Sequence, residues 1–246
     1  MKETKLWING KWESTAELSE LTAPYTGKII AKVAKASVTD VERAIEGAHK
    51  AFLSFKKTTA YERAEILYKV AAIMRDRKQE LAKILADEAS KPLSAGLTEL
   101  DRTITTYQFA AEAAKQITGE TVPMDATPGV KDRMGYTKRV PLGVVSAITP
   151  FNFPFNLVAH KLGPAFAVGN TVVLKPASQT PLSALAMAEI FKEAGLPDGA
   201  LQIVTGGGGD LSDTLVKHQL VKEVTFTGSG AVGLKIKEKV GLRKIT

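Results

Sequence analysis

The sequence predicts an α/β protein built on a doubly wound, mostly parallel sheet, with helices ahead of it and a β-hairpin projecting from it. Three observations predict this class. First, Gly143 to Lys175 reads as a minimal strand–helix–strand unit. It holds a β-branched run Val144–Thr149, a break at Pro150, an apolar helical stretch, a Gly169-Asn170 turn and a second run Thr171–Leu174. Second, Val172-Val173-Leu174 shows no polar alternation, as expected of a parallel strand covered on both faces. Third, helix and strand signals keep alternating from Thr180 to Thr246. Ligands of such sheets bind beyond the carboxyl ends of strands. Those ends fall at Thr149-Pro150-Phe151-Asn152 and Lys175-Pro176-Ala177-Ser178.

Taken in order, the chain opens with Leu6-Trp7-Ile8-Asn9-Gly10-Lys11-Trp12, which sets Asn-Gly between apolar residues, the strongest short hairpin signal. Pro24-Tyr25-Thr26-Gly27 reads as a turn and Lys28–Ala34 as a strand, so a small antiparallel piece on the surface of the main body is expected. Thr39-Asp40-Val41-Glu42 matches a capping box and predicts a helix to about Phe55. Thr59-Ala60-Tyr61-Glu62 matches a second box. It predicts one long helix whose apolar positions, Ile66, Leu67, Val70, Ile73, Met74, Leu81, Ile84 and Leu85, recur at helical spacing. Lys91-Pro92 interrupts, and a third helix is expected over Ser94–Ile117. Gly119–Val140, with Pro123, Pro128 and Gly129 between strand-like ends, reads either as a projecting hairpin or as a surface loop. Further on, Thr180-Pro181 is an N-cap with proline in the first turn, opening a helix to Glu193 that Ala194-Gly195-Leu196-Pro197 stops. Leu201–Val204, Glu223–Thr227 and Leu242–Thr246 read as strands, Leu211–Lys217 and Ala231–Lys239 as helices, and Gly206–Gly209 as a flexible turn. The expected organisation is an N-terminal part over 1–118, a hairpin over 119–140 and an α/β core over 141–246.

Composition narrows the function. With 246 residues, 44% hydrophobic and 24% charged, the chain can build a substantial core. No uninterrupted apolar run approaches the roughly 18 residues of a spanning helix, and the start has no apolar signal core, so no membrane role and a cytoplasmic home are expected. Cysteine is absent, which excludes disulfides, a thiolate nucleophile and thiolate metal sites within the chain. The net charge of +7 comes from dispersed cations without an aromatic-interleaved basic patch, so no nucleic acid partner is expected. His49, His160 and His218 have no ligand spacing, and no metal site is expected. Ser54 and Lys57 match a Ser-x-x-Lys nucleophile pattern that has no companion motif and reads as chance.

Three places could carry chemistry. Gly228-Ser229-Gly230-Ala231-Val232-Gly233 is a G-x-G-x-x-G after a strand and before a helix, the context in which amides at a helix start hold a phosphate; it is equally a tight strand–helix turn. Asn152 sits where a side-chain amide could donate to a developing oxyanion, or could satisfy turn backbone. Lys175 ends a buried strand, where a lone ammonium needs a ribose, a phosphate or a structural carboxylate.

The segments TPFNFP (149–154), KLGPAFAVGNTVVLKPAS (161–178), GLPDGALQIVTG (195–206) and FTGSGAVG (226–233), with WINGKW near the start and EASKP at 88–92, resemble the aldehyde dehydrogenase superfamily. The resemblance runs along the whole chain in order. It implies a Rossmann-like fold, NADP or NAD as cofactor, and oxidation of an aldehyde through a thiohemiacetal and a thioester. Residue by residue, it implies that Asn152 is the oxyanion-stabilising amide and that Lys175 holds the adenosine ribose hydroxyls. Ser229 then meets the pyrophosphate, Thr149, Pro150 and Phe151 wall the nicotinamide side, and Gly209, Gly228 and Gly233 let the cofactor approach the backbone. Ser178 stands where NAD-selective members often carry glutamate, which implies that NADP is accepted. The hairpin is expected to make a homo-oligomer, a dimer or tetramer. Family chains are about twice this length, with the general-base glutamate and nucleophilic cysteine further on. A truncated, cofactor-binding portion is therefore expected, inactive alone, with a non-catalytic dinucleotide-binding or dimerisation module as the alternative.

Overall fold

The computed structural model describes residues 2–246, except the side chains of Lys2 and Asp210. Strands β1 (Lys2–Glu3), β2 (Leu6–Ile8), β3 (Lys11–Glu13), β4 (Leu18–Thr22) and β5 (Ile29–Ala34) open the chain. Helices α1 (Val38–Phe55), α2 (Ala60–Asp76), α3 (Lys78–Ala89) and α4 (Leu93–Ala114) follow. The hairpin is β6 (Thr121–Val122) and β7 (Gly135–Tyr136), paired antiparallel and exposed. Then come β8 (Val144–Ile148), α5 (Asn156–Ala167), β9 (Thr171–Lys175), α6 (Pro181–Glu193), β10 (Leu201–Ile203), α7 (Asp210–Lys217), β11 (Val221–Phe226), α8 (Gly230–Val240) and β12 (Lys244–Ile245).

The main sheet has seven strands in the order β12-β11-β8-β9-β10-β2-β3. Five run parallel, and β2 and β3 close one edge antiparallel. Residues of β8 and β9 are buried throughout, which explains their unbroken apolar character. One face packs against α2 to α6, around edge-to-face contacts of Phe166 with Phe55 (6.2 Å) and Phe191 (5.0 Å), and of Phe191 with Tyr107 (5.6 Å). The other face carries α1, α7 and α8. The doubly wound expectation is met.

Four local expectations are corrected. The opening hairpin is no surface piece: Leu6, Trp7 and Ile8 are buried, and Trp7 pairs with Ile203, so β2 and β3 extend the main sheet. Its apolar residues were the clue, since an isolated two-stranded hairpin is barely stable. The box on α1 belongs to Ser37, whose hydroxyl accepts from Asp40 N–H (3.2 Å) while Asp40 accepts from Ser37 N–H (2.9 Å). Thr39 lies one residue inside the helix. The long helix is two, broken at Arg77 (φ −94°, ψ 12°), and the bend lets Met74 and Leu81 both reach the core. The helix expected over Ser94–Ile117 runs Leu93–Ala114.

Gly10 is fixed by its turn. Its φ is +77°, and a Cβ there would stand 2.1 Å from Asp198 Oδ1. Gly10→Ala is expected to destabilise the chain by about 1–3 kcal/mol, the cost of a strained left-handed residue. A lowered urea midpoint at unchanged slope would register this, and an unchanged midpoint would detach the hairpin from the core.

Candidate functional site

The site forms where four strands end on one side of the sheet. Phe226, Ile148 and Lys175 are paired across β11, β8 and β9, and Leu174 pairs with Ile203 one strand further. The chain lays β8, β9 and β10 in one direction, then crosses back to place β11 and β12 beside β8. The strand order therefore reverses between β8 and β11, and such a switch point opens a crevice at the carboxyl ends. Backbone bonds knit the loop starts together: Thr227 N–H to Ile148 O (3.1 Å), Thr149 N–H to Lys175 O (3.3 Å) and Val204 N–H to Leu174 O (3.0 Å).

The residues singled out in the sequence come together at this edge. Thr149, Pro150, Phe151 and Asn152 leave β8; Lys175 ends β9 and Ser178 follows it. Gly209 precedes α7, Gly228 and Ser229 join β11 to α8, and Gly233 lies one turn into α8. Lys175 is only 6% exposed and has no carboxylate partner among the described residues; burial pulls its ammonium below the usual lysine range. Val173 packs on the α1/α7/α8 face, and Lys175, two residues on, points the same way. Thr149 Oγ1 and Thr180 Oγ1 are buried without a hydrogen-bond partner.

Ser178 is exposed and its hydroxyl donates to Gly206 O (2.9 Å), bridging the loops after β9 and β10. Beside it lies a cavity of about 240 Å³ bordered by Pro176, Gly206, Gly207 and Lys35, with no carboxylate among its described lining residues. Ser229 is the N-cap of α8 but makes no side-chain cap, and among the described residues no side chain accepts from the first-turn amides of α8. Gly228 is required by packing, since a Cβ would stand 2.5 Å from the Phe226 ring. Gly209 has φ +75° and open space around it. Asn152 is exposed, and its neighbour Phe153 lies under Lys91 Nζ, 4.1 Å from the ring centroid. A larger cavity of about 1070 Å³, against Pro141, Asn170 and Pro164, opens at the opposite, amino edge of β8 and β9 and takes no part in this crevice.

Sequence reasoning passed over two buried carboxylates, Glu88 and Glu99, that reach the helices behind the crevice. Their signal was legible: both stand among core-facing positions, beside Leu85 and Leu100, where a carboxylate needs donors.

Comparison with known proteins adds the following. The model of the aldehyde dehydrogenase family matches residues 11–246. The chain is 48% identical over 247 aligned positions to a 3-sulfolactaldehyde dehydrogenase of Priestia aryabhattai, covering 100% of this chain and 51% of the relative. It is 38% identical to the D-glyceraldehyde dehydrogenase (NADP(+)) of Thermoplasma acidophilum, covering 96% of this chain and 48% of that one. The crystal structure of NADP-dependent glyceraldehyde-3-phosphate dehydrogenase from Bacillus halodurans C-125, complexed with NADP, superposes with a TM-score of 0.96 at 35% identity. That match covers 100% of this chain and 52% of the other. The chain spans about half the length of the relatives it matches.

Lys175 separates stability from binding. Its pKa is depressed by folding, so below the unfolded lysine value the buried ammonium detracts from stability. Lys175→Met is therefore expected to raise the melting temperature of the chain at pH 7. Under the dinucleotide reading proposed below, the same change would weaken NADPH binding by about ten- to a hundredfold, the loss of a charge-assisted hydrogen bond of roughly 1.5–3 kcal/mol. Thermal melts and fluorescence titration read the two effects separately.

Proposed function

The chain belongs to the aldehyde dehydrogenase family, and on that premise we propose that it forms the dinucleotide-binding portion of an enzyme that oxidises an aldehyde to a carboxylic acid. The observation that carries the reading is the row of strand ends at the switch point, with a buried, unpartnered ammonium on one strand and an uncapped helix start two strands away. These residues fit an adenine dinucleotide. Lys175 gives the ribose hydroxyls a donor, and Ser229 with the first α8 amides receives the pyrophosphate. Thr149, Pro150 and Phe151 wall the nicotinamide side. Gly209, Gly228 and Gly233 keep side chains out of the cofactor's path. Bound there, the nicotinamide would accept hydride from the substrate.

Asn152 is exposed at the mouth, where its amide would donate to the oxygen that gains charge during attack on the aldehyde. The attacking group is not in this chain, which contains no cysteine. Hydride transfer would need a nucleophile from further polypeptide. The absence of a thiol also favours, as a second reading, a dinucleotide-binding module without chemistry of its own. The domain organisation proposed is an N-terminal part over 1–118 that completes the cofactor domain, a hairpin over 119–140 and a binding core over 141–246.

The lack of a carboxylate among the described residues lining the cavity beside Ser178 supports acceptance of NADP as well as NAD. Fluorescence titration is expected to show binding of both NADPH and NADH. Ser178→Glu should raise the NADPH dissociation constant about a hundredfold while leaving NADH within about twofold. A like-charge contact costs several kcal/mol, and about 1.4 kcal/mol is tenfold. Failure of the unsubstituted chain to bind either nucleotide would refute the reading.

The hairpin is proposed as an oligomerisation surface. Met134 (88% exposed), Tyr136 (74%) and Val140 (68%) present apolar side chains to solvent. Light scattering is expected to show a dimer or larger species, and Tyr136→Lys with Met134→Lys to shift it toward monomer. A strict monomer at high concentration would remove this surface from consideration.

A further inference from the structure

Two helices follow the two principal loops of the crevice, and neither caps itself. Helix α5 follows residues 149–155, which carry Asn152, and has no side-chain N-cap. Helix α6 follows residues 176–180, which carry Ser178, and Thr180 at its N-cap makes no side-chain cap either. Their first amides are instead met from outside. Glu88, in the last turn of α3 and 1% exposed, accepts from Leu182 N–H (2.7 Å) and Ser183 N–H (2.9 Å), and also from the Ser183 hydroxyl. Glu99, on α4 and 2% exposed, accepts on Oε1 from Phe155 N–H (3.0 Å) and Asn156 N–H (3.3 Å). Its Oε2 takes Lys91 Nζ (2.6 Å), and the same ammonium lies over Phe153, next to Asn152.

We propose that Glu88 and Glu99 are positioning residues that clamp the two crevice loops from behind, Glu88 setting the ribose-side loop and Glu99 the nicotinamide-side loop. This rests on reading the crevice as a dinucleotide site. The division of labour follows from geometry. Each carboxylate fixes the first residues of one helix, so its loop is pinned at the strand end by the sheet and at the helix start by the carboxylate. The twelve-residue span from Glu88 to Glu99 crosses the Lys91-Pro92 break, so one short stretch of chain holds both loops. Among the described residues Glu88 has no cation partner. Burial raises its carboxyl to about 7 against the pull of Ser183 and Leu182, and Glu99 adds to the rise.

The test uses the chain with two probes, NADPH and adenosine 2′,5′-bisphosphate, which lacks the nicotinamide half. Glu88→Met and Glu99→Met keep volume and remove the acceptors; Glu88→Gln and Glu99→Gln keep a carbonyl oxygen. Glu88→Met is expected to weaken both probes about tenfold. Glu99→Met should weaken NADPH about tenfold yet leave the bisphosphate within about twofold, because the loop it frees faces only the nicotinamide. Glu99→Gln, which keeps the Oε1 contacts, should restore NADPH binding, and Glu88→Gln should restore it in part. Equal losses on both probes for Glu99→Met, or no loss for either methionine variant, would overturn the clamp. So would lost NADPH binding in a folded Glu99→Gln, which decides the matter should the methionine variants fail to fold. If the unsubstituted chain bound neither probe, the dinucleotide reading would fall instead, a result distinct from failure of the clamp.

Discussion

The pairing of β8 with a parallel strand on each side is the constraint on which the crevice depends. Ile148 sits between Phe226 and Lys175 in one row of the sheet. Because side chains alternate between faces, a slip of one residue in β9 would turn Lys175 from the α7/α8 face into the aromatic core behind α5 and α6. The buried runs of β8 and β9 make that slip costly, since Val172 and Leu174 would leave one core as Val173 left the other. Burial of plain aliphatic residues thus aims one charged residue.

The crevice is made of groups left unpartnered by the fold. Lys175 lacks a carboxylate, Thr149 Oγ1 lacks a hydrogen bond, and α8 begins without a side-chain cap. The first two are buried and unfavourable in the chain alone, whereas the α8 start is open to solvent; polar groups buried without partners normally mark places where a ligand or strain is involved. Several long-range polar contacts in the surrounding structure are satisfied. Arg63 donates to Thr58 O in the loop between α1 and α2 and to Ala167 O at the end of α5, Asn170 receives the amides of Leu142 and Gly143, and Gln202 pairs with Asn9. Buried hydroxyls without a partner also stand away from the strand ends, at Tyr107 on α4 and Ser146 within β8, so what distinguishes the crevice is that Thr149 and Thr180 flank the unpartnered ammonium of Lys175.

Much of this was legible in the sequence because it is local. The capping box at Thr59, the Asn9-Gly10 turn, the buried strands and the G-x-G-x-x-G helix start are set by residues within a few positions of one another. What was not legible depends on contacts between distant segments. Thr39-x-x-Glu42 and Ser37-x-x-Asp40 both fit a box pattern, and only the position of α1 against the sheet selects Ser37. The break at Arg77 leaves no mark in the apolar spacing, which continues in phase from Met74 to Leu81. That β2 joins β10 depends on residues nearly two hundred positions apart, and the reach of Glu88 to α6 on nearly a hundred.

This chain's composition and its crevice point to one contribution. On the proposed reading, the net charge of +7 would favour the approach of an anionic dinucleotide at long range, and the strand ends would then offer it donors, with no carboxylate among the described residues lining the cavity beside Ser178. None of this needs a reacting group. Holding a cofactor and an oxyanion donor within a fraction of an ångström of their working positions can supply several kcal/mol of a barrier by itself, because the entropy of assembly is already spent. A portion that binds and orients, separate from the portion that attacks, is physically coherent, and under the proposed clamp the rigidity of the two loops would decide how well it works.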